Sequence, residues 1–134
     1  MADDEPKHRP TVAVLGASRD RSKFGNQSVR AHVRHGYDIF PINPFADQIE
    51  GLRAYRSLAE LPVETVDRVT VYVPPEIGME LLDQIVAKRP REVWFNPGSE
   101  SEELLTRAAV LGLPVIAACS IVGLDTASSN HERE

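Results

Sequence analysis

Apolar residues in this chain occur in short unbroken runs, separated by stretches in which they recur three and four positions apart. The runs at 11–15, 37–42, 68–73, 92–95 and 114–117 are rich in Val, Ile and aromatic residues and predict strands buried on both faces. Between them, residues 26–35 carry Val29 and Val33 four apart, with Gly36 placed as a C-terminal cap. Pro75 opens a second helix whose apolar stripe is Leu81, Leu82, Ile85 and Val86, ended before Pro90. Ser99 with Glu102 three residues on resembles a capping box, ahead of a third helix burying Leu104, Leu105, Ala108 and Leu111. A short edge strand is expected at 51–55 and a helical turn at 57–61.

Strands alternate with helices throughout, which predicts an α/β protein: one domain with a Rossmann-like, doubly wound parallel sheet. Right-handed crossovers favour the strand order 3-2-1-4-5-6, with the 51–55 segment as strand three. The domain spans 11–125, and the polar ends, 1–10 and 126–134, are expected to be disordered tails.

In that order a ligand binds beyond the strand ends, between the first strand and the fourth. The loops lining that point hold Gly16 to Gly25, then Asn43-Pro44-Phe45 and Val73-Pro74-Pro75, with Asn96-Pro97-Gly98 beside them. The first loop carries Gly16, Ala17, Ser18, Arg19, Arg21, Lys23 and Gly25 immediately before a helix. Unpaired N–H groups and the positive end of the helix dipole meet there, which suits a phosphate.

A dinucleotide fingerprint would need GxGxxG and an acidic residue ending the second strand. The glycine after Gly16 is Gly25, the second strand ends in Ile42-Asn43-Pro44, and no Walker motif occurs. A nicotinamide cofactor is thereby disfavoured. Arg19, Arg21 and Lys23 are more cation than one pyrophosphate needs and suit coenzyme A with its extra 3′-phosphate. The prolines at 44, 74 and 75 offer rigid apolar walls for an adenine ring. A solvated basic surface loop is the alternative reading of the same residues.

Composition narrows the function classes further. With 42% hydrophobic and 26% charged residues the 134-residue chain is an ordinary globular domain. Its net charge of −5 argues against nucleic acid or an anionic membrane as partner, so an anion site must be local. A single cysteine, Cys119, excludes an intramolecular disulfide, and no apolar run approaches the roughly 20 residues of a membrane span. A cytoplasmic protein is expected. His8, His32, His35 and His131 lack metal-ligand spacing and read as surface or helix-flank histidines. Cys119 reads as an inert thiol, and Glu100, Glu102 and Glu103 as charges complementing a helix N-terminus. Neither a catalytic residue nor a metal site is expected.

Four blocks in order, VAVLGASRDRSKFG, GYDIFPINPFADQIEGLRAYRSLAELP, VDRVTVYVPPE and VWFNPGSES, resemble the CoA-binding domain family over residues 11–124. This Rossmann-like module also forms the N-terminal domain of the succinyl-CoA synthetase alpha subunit and of NDP-forming acyl-CoA synthetases. The likeness is greatest to the small stand-alone, YccU-like members. The resemblance implies CoA or an acyl-CoA as ligand, with its phosphates at Gly16, Ala17, Ser18, Lys23 and Gly25. It places the nucleotide beside Asn43 and Pro44, and the cofactor beside Val73, Pro74 and Pro75 and beside Asn96, Pro97 and Gly98. Many relatives have a lysine after the Asn-Pro pair where this chain has Phe45, which leaves Arg19 or Arg21 to compensate.

The synthetases add a second domain with a phosphorylated histidine and an ATP-grasp partner, and neither fits in 134 residues. The expected function is therefore non-catalytic CoA binding, as a carrier, sensor or regulatory module, with a protein partner left open. The alternatives are a subunit of a multi-chain acyl-CoA synthetase and, more weakly, an NAD(P)-binding regulatory domain.

Overall fold

A computed structural model describes residues 9–133, with side chains described for 9–126. The expected tail at the N-terminus and His8 thus lie almost wholly outside the described residues, as does the side chain of His131.

The main sheet has five parallel strands in the order β2-β1-β5-β6-β7. These are β1 (Thr11–Leu15), β2 (Asp38–Ile42), β5 (Arg68–Val71), β6 (Glu92–Phe95) and β7 (Val115–Ile116). Helices α1 (Phe24–Arg34) and α4 (Ser120–Arg133) pack together on one face, and α2 (Pro75–Ala87) and α3 (Glu102–Val110) on the other. The Rossmann-like α/β class is as expected.

The strand order differs in one detail. The segment read as strand three contributes only a single parallel bridge, Tyr55 to Ile42, held by Tyr55 N–H to the Pro41 carbonyl at 2.9 Å and Asn43 N–H to the Tyr55 carbonyl at 2.8 Å. The rest of it folds back as a small hairpin, β3 (Gln48–Ile49) and β4 (Leu52–Arg53). Glu50 and Gly51 at its tip both have positive φ, 50° and 77°, the backbone of a tight hairpin turn. Backbone groups paired inside the hairpin are no longer free to extend the main sheet.

Strand alternation divides the core in two. Ala13, Leu15, Val69, Val71, Val93 and Phe95 face α2 and α3, where Leu82, Ile85, Leu104 and Ala108 complete an apolar layer. Val12 and Val14 face α1 and meet Val29. Further along that same face the buried layer turns polar: Thr70 and Asn96 are at most 1% exposed, and Arg68 8%.

Two helix readings are corrected here. Helix α1 does not bury a Val29/Val33 stripe: Val33 is half exposed, and the inward face is Gly25, Ser28, Val29 and His32. The cap of α3 is Ser101, whose hydroxyl accepts the Leu104 N–H at 3.1 Å, whereas Ser99 is buried beside the cleft described below. Helix α4 continues to Arg133, through most of the stretch read as a polar tail, because nothing in that stretch breaks a helix already started at Ser120.

Candidate functional site

The sheet order reverses between β1 and β5, and a cleft of about 780 Å³ opens beyond the strand ends at that place. Its floor is apolar, with Leu15, Ile42, Leu58, Val73, Ile77 and Leu81. Phe24 and Phe45, 65% and 91% exposed, stand on its rim. Two cations, Lys23 and Arg56, line it, and among the described residues its lining holds no Asp, Glu, His or Cys.

The β1–α1 loop is shaped by two close approaches. Gly16 has φ of 92°, and a Cβ there would lie 3.0 Å from the Tyr72 carbonyl carbon, so the chain can cross the end of β5 only without a side chain. A Cβ on Gly25 would overlap the Gly16 carbonyl oxygen outright. The helix start is thus pressed onto the loop it emerges from.

Fewer amides are free than the sequence suggests. The N–H groups of Gly16 and Ala17 both donate to the Ile42 carbonyl at 3.2 Å, which closes the loop onto β2. Lys23, the N-cap of α1, gives no side-chain cap, and the first turn holds no acidic residue. The anion-attracting groups are therefore the first-turn N–H groups of Phe24 and Gly25, with the helix dipole behind them. The Ser18 hydroxyl accepts the Asp20 N–H at 3.0 Å, and Asp20 in turn accepts Ser22 Oγ at 2.6 Å and Ser22 N at 3.0 Å. These bonds hold the Asp20 carboxyl below its ordinary value and fix the loop's shape.

Of the residues read from the sequence, Gly16, Ala17, Ser18, Lys23, Gly25, Asn43, Pro44, Val73 and Pro97 line the cleft, while Arg19, Pro74, Pro75, Asn96 and Gly98 stand outside its lining. Arg21 turns to Glu50 at 3.5 Å, and its carbonyl accepts an Arg30 N–H at 2.9 Å. Asn43 spans the base of the loop, donating to the Ala17 carbonyl at 2.9 Å and accepting the Phe45 N–H at 2.7 Å. Asn96 lies beneath the cleft: its amide nitrogen donates to Thr70 Oγ1 at 2.7 Å and the Val71 carbonyl at 2.9 Å, and its oxygen accepts Ser120 N–H at 2.8 Å. It ties β5, β6 and the start of α4 together. The Tyr72 hydroxyl joins the same group at Ser120, 3.0 Å away, and burial raises its pKa.

The sequence reading missed Phe24, Arg56, Ser57, Ile77 and Gln84 as lining residues. Ile77, Leu81 and Gln84 recur four and three apart on α2, a spacing that was available to find them. The Gln84 Oε1 atom is buried without a hydrogen-bond partner. Nothing local marked Arg56, which reaches the cleft only because Tyr55 bridges to β2.

A second polar cluster lies under α1. His32, read as a surface or flank histidine, is fully buried. Its Nδ1 donates to the Ser28 carbonyl at 2.8 Å, which leaves Nε2 to accept from the Arg68 guanidinium at 3.2 Å. Desolvation, followed by the nearby Arg68 charge, pushes its pKa down to about 4. Arg68 lies over the rings of Tyr37 and Trp94, each 5.1 Å away, and pairs with Glu92 at 2.9 Å. His35 pairs at the surface with Asp125 at 3.5 Å.

Comparison with known proteins gives a consistent set of matches. Residues 10–125 match the family model described as a CoA binding domain. An ADP-forming acetate–CoA ligase II of Archaeoglobus fulgidus is 38% identical over 95 residues, which are 69% of this chain and 14% of the ligase. The chain thus spans about a seventh of that relative's length. A solved structure of a conserved hypothetical protein from Pyrococcus furiosus is 34% identical with TM-score 0.75, over 87% of this chain and 99% of that one. The dinucleotide-forming acetyl-coenzyme A synthetase 1 of Ca. Korarchaeum cryptofilum, in its apo form, is 29% identical with TM-score 0.69, over 81% of this chain and 26% of that one. No helix among the described residues is long and apolar enough to cross a membrane.

Proposed function

The chain belongs to the CoA binding domain family, and on that premise we propose that its cleft binds coenzyme A or an acyl-CoA without catalysing a reaction, as a carrier, sensor or regulatory module. The observation that carries this reading is the cleft itself. At one end it offers an uncapped helix start and Lys23, along its floor an apolar surface, and nowhere in its described lining a carboxylate. A ligand with phosphates at one end and a long, weakly polar arm matches that distribution. The lining's serines, Lys23 and Tyr72 have no His, Cys, Asp or Glu beside them in the described lining to activate one as a nucleophile, which supports binding over catalysis.

Calorimetric titration with CoA and acetyl-CoA tests the reading. Binding at micromolar ligand is expected, and Lys23→Ala should weaken it about tenfold, the usual effect of one charge-assisted phosphate contact. Lys23 is exposed, so thermal stability should stay within about 0.5 kcal/mol of wild type. Failure of every CoA species to bind would end this reading.

One observation favours a second role. The aligned stretch is a small fraction of an acetate–CoA ligase, so this chain corresponds to one module of a larger catalyst. As a subunit of a multi-chain acyl-CoA synthetase it would form acyl-CoA only with separately supplied partners. Adding ATP, acetate and CoA to a native complex isolated through this chain distinguishes the two roles, since acetyl-CoA formation would establish the second. An NAD(P) ligand is disfavoured because Asn43, with its side chain bonded within the loop, occupies the position of the ribose-binding acid.

A further inference from the structure

Resting on the CoA reading above, we propose that Arg56 binds the ribose 3′-phosphate and so sets a preference for CoA over dephospho-CoA. The cations expected for that task from the sequence are not where the task is. Arg19 stands outside the cleft lining, and Arg21, also outside it, is engaged by Glu50 at 3.5 Å. Lys23 and Arg56 remain; the cleft's described lining holds no carboxylate, while Asp47 and Glu60 line the hollow that adjoins Arg56.

Their separation distinguishes their roles. Lys23 belongs to the loop that leaves β1, while Arg56 follows Tyr55, which pairs with the far edge of β2. Two strand spacings, about 10 Å, lie between those chain paths. Backbone attachment points so spaced let the two cations reach distinct anionic centres on one ligand.

The surroundings of Arg56 fit a terminal phosphate. A smaller hollow of about 390 Å³ adjoins the cleft and shares Pro44, Phe45 and Arg56 with it. Asp47, Arg53 and Glu60 also line this hollow. Glu60 accepts the backbone N–H of Arg56 at 3.2 Å, and the Arg53 guanidinium lies 5.1 Å over the Tyr55 ring. The Arg56 guanidinium itself makes no ion pair among the described residues. Phe45, 91% exposed, and Arg56 line both hollows, so the ring offers a stacking surface for an adenine on the same wall as the guanidinium.

The test is titration of wild type, Arg56→Gln and Arg56→Lys with CoA and with dephospho-CoA, circular dichroism confirming the fold of each. Wild type should prefer CoA by tenfold or more. Arg56→Gln should lower CoA affinity to that of dephospho-CoA while leaving dephospho-CoA unchanged, and Arg56→Lys should fall between. An equal loss on both ligands, no loss on either, or no preference in wild type would overturn the assignment while the CoA reading stands. Wild type that binds neither ligand would overturn the CoA reading and the assignment with it.

Discussion

Gly25→Ala is expected to reduce CoA affinity at least a hundredfold and to destabilise the fold by about 2 kcal/mol, through one methyl group. The added carbon would overlap the Gly16 carbonyl oxygen and lie 3.2 Å from the Gly16 carbonyl carbon and 3.3 Å from Ala17 Cα. All three are backbone atoms, so no side chain can swing aside. The loop is also held from below, by Gly16 and Ala17 on the Ile42 carbonyl and by Asn43 on the Ala17 carbonyl. Relief requires the first turn of α1 to move away from the loop. That displaces the Phe24 and Gly25 N–H groups, the anion-attracting end of the cleft.

Gly36→Ala is the matched control. It also adds one methyl, at φ of 82°, but a Cβ there meets nothing within 4 Å. Only the backbone cost of about 1 kcal/mol should appear, with CoA affinity unchanged. Calorimetric titration and urea unfolding of both variants check the pair. Equal CoA affinity in Gly25→Ala and wild type would show that the helix start does not hold the phosphates.

Stability should fall on acidification from pH 7 to pH 4 by roughly 3 kcal/mol on account of His32. The folded state holds this imidazole down to about 4, against an ordinary value of 6.5. A base with a depressed folded pKa binds its proton more readily in the unfolded chain. Its contribution to stability is therefore complete above about 6.5 and declines as the pH falls toward 4. Burial, which penalises the charged ring, is the largest cause, and the Arg68 charge adds to it. With Nδ1 donating to the Ser28 carbonyl and Nε2 accepting from Arg68, a second proton would destroy the acceptor and set two cations face to face in a buried site. His35, next along α1, adds a smaller repulsion.

Urea midpoints between pH 7.5 and 4.5 measure this loss. The imidazole resonances of His32 provide a direct second reading, and they should stay in the neutral form down to pH 5. A titration of His32 centred near 6.5 would contradict the assignment.

The alternation of buried runs with helical spacing was sufficient to identify the sheet class, the first three helices and the loops converging at the switch point, because each depends on near neighbours in the chain. Gly16, Ser18, Lys23, Gly25, Asn43, Pro44 and Val73 were expected at those loops on that basis, and all line the cleft. His32 was misread because a polar residue on a helix looks exposed until its partner is known, and Arg68 is 36 positions away. Ser99 and Ser101 are equally plausible caps by type, and only backbone geometry selects Ser101.

The cations show the division most clearly. By itself the sequence determined that a glycine-bearing loop enters a helix after the first strand, which creates a dipole end wherever it occurs. It also determined the family, through four ordered blocks and not through any single motif. Which cations line the cleft was decided only by the tertiary structure. Arg19 and Arg21 are near in sequence yet stand outside the cleft, whereas Arg56, 31 positions beyond Gly25, lines it. The physical reason is that charge acts through distance in space, and distance in space here depends on one non-local bridge between Tyr55 and Ile42.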